Sequence, residues 1–137
     1  MRLEDKVAII TGGANGMGAE EARMFAREGA KVLLVDFQED RARETRQLIQ
    51  EEGGVASTFQ GDMTKLEDCQ NMVGAAMDRY GRVDILDNNV GISQRGTVVE
   101  VSEEDWDRVH AINLKGVWLC MKYEIQQFLA QGDRTMA

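Results

Sequence analysis

Residues 6–36 read KVAIITGGANGMGAEEARMFAREGAKVLLVD, and their pattern decides the fold. The run from Lys6 to Thr11 is almost continuously apolar, which is typical of a strand buried on both faces. Small and apolar residues at helical spacing follow over 16–28, and 31–36 form a second apolar run. The pattern predicts a strand, a glycine-rich turn, a helix and a second, parallel strand.

The three glycines in the turn have separate physical roles. Gly12 permits the sharp turn out of the strand, and Gly16 removes a side chain where backbone must approach a phosphate. Gly18 lets the helix pack closely on the sheet. Because the first N–H groups of a helix are free and carry the positive end of its dipole, this turn predicts a site for the pyrophosphate of a dinucleotide.

Asp36 ends the second strand, about 20 residues beyond the turn, where a carboxylate accepts hydrogen bonds from the adenosine ribose hydroxyls. A carboxylate there repels a 2′-phosphate, and neither Ala14 nor Asn15 is basic. The sequence therefore favours NAD over NADP as the cofactor. A generic tight turn is the alternative, and the flanking strand, helix and Asp36 together disfavour it.

The remaining chain alternates between strands and helices. Helices are expected over 39–52, after Thr64, after Ser102 and over 113–130, and strands over 55–60 and 83–88. Thr64 with Glu67, and Ser102 with Asp105, have the spacing of capping boxes. The apolar faces of these helices are expected at Ala42, Leu48 and Ile49; at Leu66, Cys69, Met72, Val73, Ala76 and Tyr80; at Trp106 and Val109; and at Leu114, Val117, Trp118, Met121, Ile125 and Phe128.

This alternation predicts the α/β class, with a parallel sheet and crossover helices in three α/β/α layers. Right-handed crossovers in a doubly wound plan give about four strands in the order 3-2-1-4, with the third strand at an edge. We expect one dinucleotide-binding domain over 1–131 and a C-terminal tail over 132–137.

Composition limits the function classes for the 137 residues. The net charge of −8 argues against nucleic acid or an anionic membrane as a partner. There is no apolar run long enough to span a membrane and no signal-peptide pattern, so a cytoplasmic location is expected. One His and two scattered Cys do not make a usual zinc site, and Cys69 and Cys120 are expected to be buried, reduced thiols.

The spacing Thr11-Gly12-x-x-x-Gly16-x-Gly18 resembles that of the classical short-chain dehydrogenase/reductase family, whose nucleotide domain is Rossmann-like. Three further segments match that family in order: 61–63 (GDM), 88–91 (NNVG) and 113–116 (NLKG). The resemblance implies that Asn113 has an auxiliary catalytic role, supporting a water in a proton relay. It also implies cofactor contacts from Thr11, Gly12, Asn15, Gly16, Met17, Gly18, Asp36, Phe37, Asp62, Met63, Asn89, Val90 and Gly91.

The sequence departs from the family pattern in three respects. Val90 replaces the usual Ala, and Asp87 occupies a usually apolar position of the fourth strand. The family's catalytic Ser and its Tyr-x-x-x-Lys pair are not found, since Tyr80 is followed by Asp84 and Tyr123 by Gln127. Without a positioned acid, proton transfer loses a factor of about 10²–10⁴. We therefore expect a truncated NAD-binding protein without the family's usual catalysis.

Two other functions remain open at this point. One is an oxidoreductase acting on alcohols, ketones or 3-oxoacyl groups, with its site completed across a subunit interface. The other is a non-redox interaction protein. An incomplete fold of this kind would expose apolar residues on the helix over 113–130, so a dimer or tetramer is expected. Asp87 on an edge strand disfavours strand pairing, which favours contact through that helix.

Overall fold

The computed structural model describes residues 1–132 and places a parallel four-stranded sheet between helices on both faces. The predicted tail, 132–137, lies outside this range except for Gly132. A π-helical segment, Ala111–Gly116, joins the last two helices. The elements are β1 (Val7–Thr11), α1 (Gly16–Arg27), β2 (Lys31–Asp36), α2 (Glu39–Glu51), β3 (Val55–Gln60), α3 (Leu66–Tyr80), β4 (Ile85–Asn88), α4 (Glu103–His110) and α5 (Val117–Ala130).

The strand order is β3-β2-β1-β4, which confirms the predicted order and the place of β3 at an edge. All three pairings are parallel. In the centre of the sheet, Ile9 of β1 lies opposite Leu33 of β2 and Leu86 of β4. The carboxyl ends of the strands therefore meet at one edge of the molecule, where the loops that follow them converge.

Two hydrophobic cores lie on opposite faces of the sheet, because successive strand residues point in opposite directions. Ile10 packs with Ala22 of α1 and Ile49 of α2 on one face. Ile9 packs with Met72 of α3 and Leu119 of α5 on the other. Each fully buried aliphatic side chain contributes about 1.5–3 kcal/mol, so both faces hold the strands in register.

The fourth strand is shorter than expected and begins at Ile85, not at Val83. The backbone of Val83 is bonded to a side chain instead: its N–H donates to Gln131 Oε1 and its carbonyl accepts from Gln131 Nε2, both at 2.9 Å. Asp84 joins the segment before β4 to the start of β1, because its carboxylate accepts from the N–H of Val7 at 2.8 Å. These tertiary bonds leave no signal in the local sequence pattern.

The capping prediction at Thr64 is wrong. Helix α3 begins at Leu66, and the Thr64 hydroxyl donates to Asp62 Oδ1 at 2.6 Å instead of capping the helix. Ser102 does cap α4, since its hydroxyl oxygen accepts from the N–H of Asp105 at 3.1 Å. The two sites differ because Asp62 offers Thr64 a stronger local acceptor.

In α2, α3 and α4, three residues expected on buried faces are largely exposed: Leu48 (46%), Leu66 (47%) and Trp106 (54%). In α2 the buried stripe runs through Ala42, Thr45 and Ile49, one step around the helix from the expected one. Thr45 can be buried because its hydroxyl donates to the Ala14 carbonyl at 2.9 Å.

The long helix does not begin at Asn113 as expected. Helix continues from α4 through the π-helical segment into α5. The inward face of α5 is formed by Leu119, Cys120 and Glu124. Most of the expected apolar face is at the surface: Leu114, Trp118, Met121 and Ile125 are all at least 40% exposed, whereas Phe128 packs against the core.

Glu124 is the unusual member of the inward face. It is 1% exposed, and neither carboxylate oxygen has a hydrogen-bond partner among residues 1–132. Burial raises the pKa of the Glu124 carboxyl to about 8, because the charged form loses its hydration. The group is therefore neutral in the folded protein at pH 7.

We expect Glu124→Gln to remove part of the pH dependence of stability. The folded pKa of about 8 lies above the ordinary value of 4.5, so the folded state binds an extra proton between these pH values. Stability from this group is complete below pH 4.5 and falls as pH rises towards 8, by up to about 1.4 kcal/mol per pH unit. Urea denaturation across this range measures the slope.

Glu104→Gln is the matched control, because it makes the same Glu-to-Gln change at an exposed position of α4. The stability difference between Glu124→Gln and the parent should grow with pH, whereas that for Glu104→Gln should stay flat. A difference for Glu124→Gln that does not change between pH 5 and pH 8 would contradict the assignment.

Candidate functional site

A cavity of about 420 Å³ opens where the carboxyl ends of the strands meet. Segments that follow all four strands contribute to its wall, including the point between β1 and β4 where the strand order reverses. Open α/β sheets bind ligands at this place. The lining residues are Gly12, Asn15, Gly16, Met17, Val35, Asp36, Phe37, Gln38, Gly61, Asp62, Met63, Thr64, Asn89, Val90, Gly91, Ile92 and Ile112.

The glycine-rich turn leaves β1 through backbone conformations that favour glycine. Gly12 has φ +69° and Gly16 has φ +57°. A methyl group at Gly16 would meet nothing within 4 Å, whereas one at Gly18 would overlap the Gly12 carbonyl oxygen. Gly18 is thus required by packing of α1 on β1, and the space in front of Gly16 is open.

The start of α1 has free N–H groups. Asn15, at the N-cap, makes no side-chain capping bond, and the first turn contains no acidic residue. Within the described part of the chain, α2, α3 and α4 all carry acidic residues in the first turn. Gly16 and Met17 line the cavity, so the positive end of the α1 dipole faces it. No acidic side chain in the first turn of α1 neutralises that positive end.

The Asp36 carboxylate lines the same cavity as the start of α1 and is held by backbone N–H groups. Oδ2 accepts from the N–H of Ala14 at 3.1 Å, and Oδ1 accepts from the N–H of Gln38 at 2.9 Å. Thr45 supports the same loop through the Ala14 carbonyl. Since each carboxylate oxygen can accept more than one bond, Asp36 keeps acceptor capacity for a ligand hydroxyl.

The end of β4 is tied to the glycine turn. Asn89 Nδ2 donates to the Gly12 carbonyl at 3.1 Å. Thr11 is fully buried, and its hydroxyl donates to the Asp87 carbonyl at 3.2 Å and accepts from the N–H of Val90 at 3.3 Å. Thr11 therefore acts on the cavity indirectly, by joining β1 to the segment after β4.

The segment after β3 forms another wall. Asp62 Oδ1 accepts from both the N–H and the hydroxyl of Thr64, at 2.9 and 2.6 Å. These bonds, the hydroxyl bond foremost, lower the pKa of the Asp62 carboxyl and hold it as a carboxylate. The backbone N–H of Asp62 donates to Asp68 at 2.8 Å, which fixes the segment to α3.

Eleven of the thirteen expected cofactor residues line this cavity; Thr11 and Gly18 are buried beneath it. Six lining residues were not among the expected contacts: Val35, Gln38, Gly61, Thr64, Ile92 and Ile112. Gln38 and Ile92 directly follow expected contacts, so their positions next to the motifs could have predicted that they line the cavity. Ile112 lies in the π-helical segment, and only the tertiary structure brings it to the cavity.

Asn113 lies beside the cavity and does not line it. Its Oδ1 accepts from the N–H of Ile92 at 2.9 Å, and its Nδ2 donates to the Ile92 carbonyl at 2.7 Å. This amide pair holds the segment after β4 against the π-helical turn. The single histidine, His110, stacks on Trp106 with the ring centroids 3.6 Å apart and is likewise absent from the lining.

Asp87 faces Glu21 of α1. Burial, followed by the hydrogen bond to Glu21, raises the pKa of the Asp87 carboxyl to about 6. The raised pKa shows that the ionised Asp87 carboxyl is disfavoured by burial and by the neighbouring Glu21 carboxyl.

The described residues contain no group of three or more His, Cys, Asp or Glu side chains placed to hold a metal ion. Over residues 1–132, no helix combines the length and apolar character that crossing a bilayer requires.

A sequence model of the short chain dehydrogenases matches residues 6–134. The chain belongs to the short-chain dehydrogenase/reductase family. An uncharacterized oxidoreductase of Thermotoga maritima is 42% identical over 132 residues, covering 96% of this chain and 52% of that protein. Short-chain dehydrogenase reductase 3a of Arabidopsis thaliana is 36% identical, covering 98% and 52%. The chain thus spans about half the length of the curated relatives it matches.

A solved structure supports the same family and fold. The crystal structure of a metagenomic short-chain oxidoreductase in complex with NADP superposes with a TM-score of 0.89 and is 27% identical. The match covers 96% of this chain and 60% of that chain. The family motifs recognised in the sequence therefore occupy a short-chain dehydrogenase fold.

We expect Gly18→Ala to destabilise the protein by about 1–3 kcal/mol, because the added methyl group forces α1 away from β1. Gly74→Ala is the matched control: Gly74 is a helical glycine of α3 with nothing within 4 Å of an added methyl group. That variant should gain up to about 1 kcal/mol from helix propensity. Urea denaturation measures both, and equal stabilities would contradict the packing role of Gly18.

Proposed function

We propose that this chain binds NAD(H) in the cavity at the carboxyl ends of the strands. The observation that carries the proposal is the presence of two features in the wall of one cavity: the uncapped, acid-free start of α1 and the backbone-held carboxylate of Asp36. The first suits a pyrophosphate and the second suits a ribose diol. The open space before Gly16 admits the ligand backbone.

The residues present fit a dinucleotide. The N–H groups at Gly16 and Met17 would hold the pyrophosphate, and Asp36 would accept from the adenosine ribose hydroxyls. By family resemblance, Phe37, Asp62 and Met63 would border the adenine. When bound, the nicotinamide supplies hydride transfer. The protein's own contribution here is binding and orientation.

The lining favours NAD over NADP. Asp36 would repel a 2′-phosphate, and the lining residues include no Lys or Arg to attract one. The solved relative is a complex with NADP, so the preference is a property proposed for this chain's own residues. A cytoplasmic location remains the expectation drawn from the sequence.

We expect binding without turnover from the chain alone. Neither Tyr80 nor Tyr123 is followed four positions later by Lys, so the family's proton-donating pair is not among the 137 residues. Asn113 does not replace it, since an amide neither donates nor accepts a proton usefully near pH 7.

A second candidate is an oxidoreductase whose site is completed by a second chain. The position of Asn113 favours it: its side chain is fixed by two bonds to Ile92 within a π-helical segment, and such segments are frequent at functional sites. Following the absorbance of reduced cofactor with a panel of alcohols and ketones separates the two candidates. Turnover that Asn113→Ala abolishes would support the second.

Asp36→Asn should weaken NAD binding about tenfold and narrow the preference for NAD over NADP, because the charge that attracts the ribose diol and repels the 2′-phosphate is lost. Calorimetric titration with each nucleotide measures both affinities. Glu44→Gln is the control, since it removes one charge from an exposed position of α2 that does not line the cavity. Binding of neither nucleotide by the parent chain would overturn the proposed function and favour a non-redox interaction role.

We also propose that the chain self-associates through the helix over 113–130. Five apolar side chains of that helix are at least 40% exposed: Leu114, Trp118, Met121, Ile125 and Leu129. Monomers rarely expose a contiguous apolar patch of this kind. The Asp87 carboxyl on β4 disfavours pairing at the sheet edge, so the helix is the favoured contact.

Trp118→Glu should therefore shift the chain to monomer, because a charge at the centre of the helical patch opposes burial. Leu48→Glu is the control: Leu48 is 46% exposed on α2, outside the patch. Size-exclusion chromatography with light scattering gives the mass of each. A parent chain that is monomeric at micromolar concentration would contradict self-association.

A further inference from the structure

The chain's two cysteines face each other across two helices. Cys69 lies near the start of α3 and Cys120 lies on α5, and their sulfurs are 3.8 Å apart. Both side chains are fully buried and reduced. Fifty-one positions separate them along the chain, so only the packing of α3 on α5 brings them together.

Met63 connects this thiol pair to the cavity. The Cys69 thiol donates to the Met63 carbonyl at 3.4 Å, and the Cys120 sulfur lies 3.4 Å from Met63 Sδ. Met63 also lines the cavity and is 5% exposed. The two sulfurs therefore lie directly behind the cavity wall formed by the segment after β3.

We propose that Cys69 and Cys120 form a modification site, oxidised reversibly by hydrogen peroxide to an intramolecular disulfide, and that Met63 couples their oxidation state to nucleotide binding. The coupling rests on the proposed function, whereas disulfide formation does not. A disulfide requires a sulfur–sulfur distance of about 2.05 Å, so the sulfurs must approach by a little under 2 Å. That movement removes the Cys69 contact to the Met63 carbonyl and shifts the wall.

Cys69 is the attacking thiol. The hydrogen bond from Cys120 lowers the pKa of the Cys69 thiol, against the opposing effects of burial and of the Asp68 and Asp62 carboxylates. The Cys69 sulfur also contacts the Met63 carbonyl at the cavity wall, from which an oxidant would approach. The hydrogen bond to Cys69, burial and the neighbouring Glu124 all raise the pKa of the Cys120 thiol. Cys120 is therefore the resolving thiol.

The two steps balance. The Cys69 thiolate attacks one peroxide oxygen, an S–O bond forms, the O–O bond breaks, and one water leaves after protonation. The Cys120 sulfur then attacks the sulfur of the resulting sulfenic acid, the S–S bond forms and the S–O bond breaks, and the departing hydroxide takes the Cys120 proton and leaves as the second water. The two thiols together lose two electrons and two protons, and the peroxide is reduced to two waters.

Buried thiols react only when their cover opens. Here Met63 covers the two thiols, and hydrogen peroxide would approach them from the cavity. A nucleotide in the cavity would keep that cover closed. By linkage, a ligand that binds the reduced form more tightly must disfavour oxidation by the same factor.

The test uses the full chain and graded hydrogen peroxide, with and without NAD. Intact mass should fall by about 2 Da, peptide mapping should join Cys69 to Cys120, and dithiothreitol should restore both thiols. The oxidised chain should bind NAD several-fold more weakly by calorimetry, and NAD should slow oxidation several-fold.

Two variants test the assigned roles. Cys120→Ser should stop at a sulfenic acid on Cys69 that dimedone traps, whereas Cys69→Ser should leave Cys120 unlabelled in the folded chain. Disulfides formed only between chains, or folded parent whose mass does not fall, would overturn the modification site. Equal NAD affinity of the reduced and oxidised chains would overturn the coupling alone, and no NAD binding by the reduced chain would overturn the proposed function without affecting the mass result.

Discussion

The close packing of Gly18 against the Gly12 carbonyl is the constraint on which the rest of the site depends. It lets α1 begin directly against the end of β1, with its free N–H groups at the carboxyl edge of the sheet. A side chain at this contact would push the helix away and remove the dipole from the cavity. The fold and the proposed pyrophosphate site therefore share one physical requirement, which only glycine meets.

The polar groups around the cavity stabilise the fold as well as facing the ligand space. Asp36 joins the glycine turn to α2, Asn89 joins the segment after β4 to that turn, and Asp62 orders the start of α3. Each is held by backbone bonds before any ligand arrives, so little ordering is needed on binding. The cavity is thus preorganised by the same bonds that close the loops.

The solvent-exposed face of helix α5 carries apolar side chains, and its buried face carries a thiol and a carboxyl group. Its exposed face presents Trp118, Ile125 and Leu129, while Cys120 and Glu124 are buried. A surface helix usually has the opposite arrangement. The inward face therefore carries the proposed oxidation site and a titratable carboxyl, and the outward face is the surface proposed for self-association.

The strand order, the glycine turn and eleven of the seventeen residues that line the cavity could be predicted from the sequence, because these depend on local periodicity and short motifs. Only the tertiary structure decided the limits of β4, the failure of Thr64 as a cap and the burial of Thr45, since each follows from a bond to a partner distant in sequence or from a competing acceptor. The pairing of Cys69 with Cys120 behind Met63 is of the same kind. Contacts between elements leave no periodic pattern in a sequence, so the place of these two thiols could be read only from the tertiary structure.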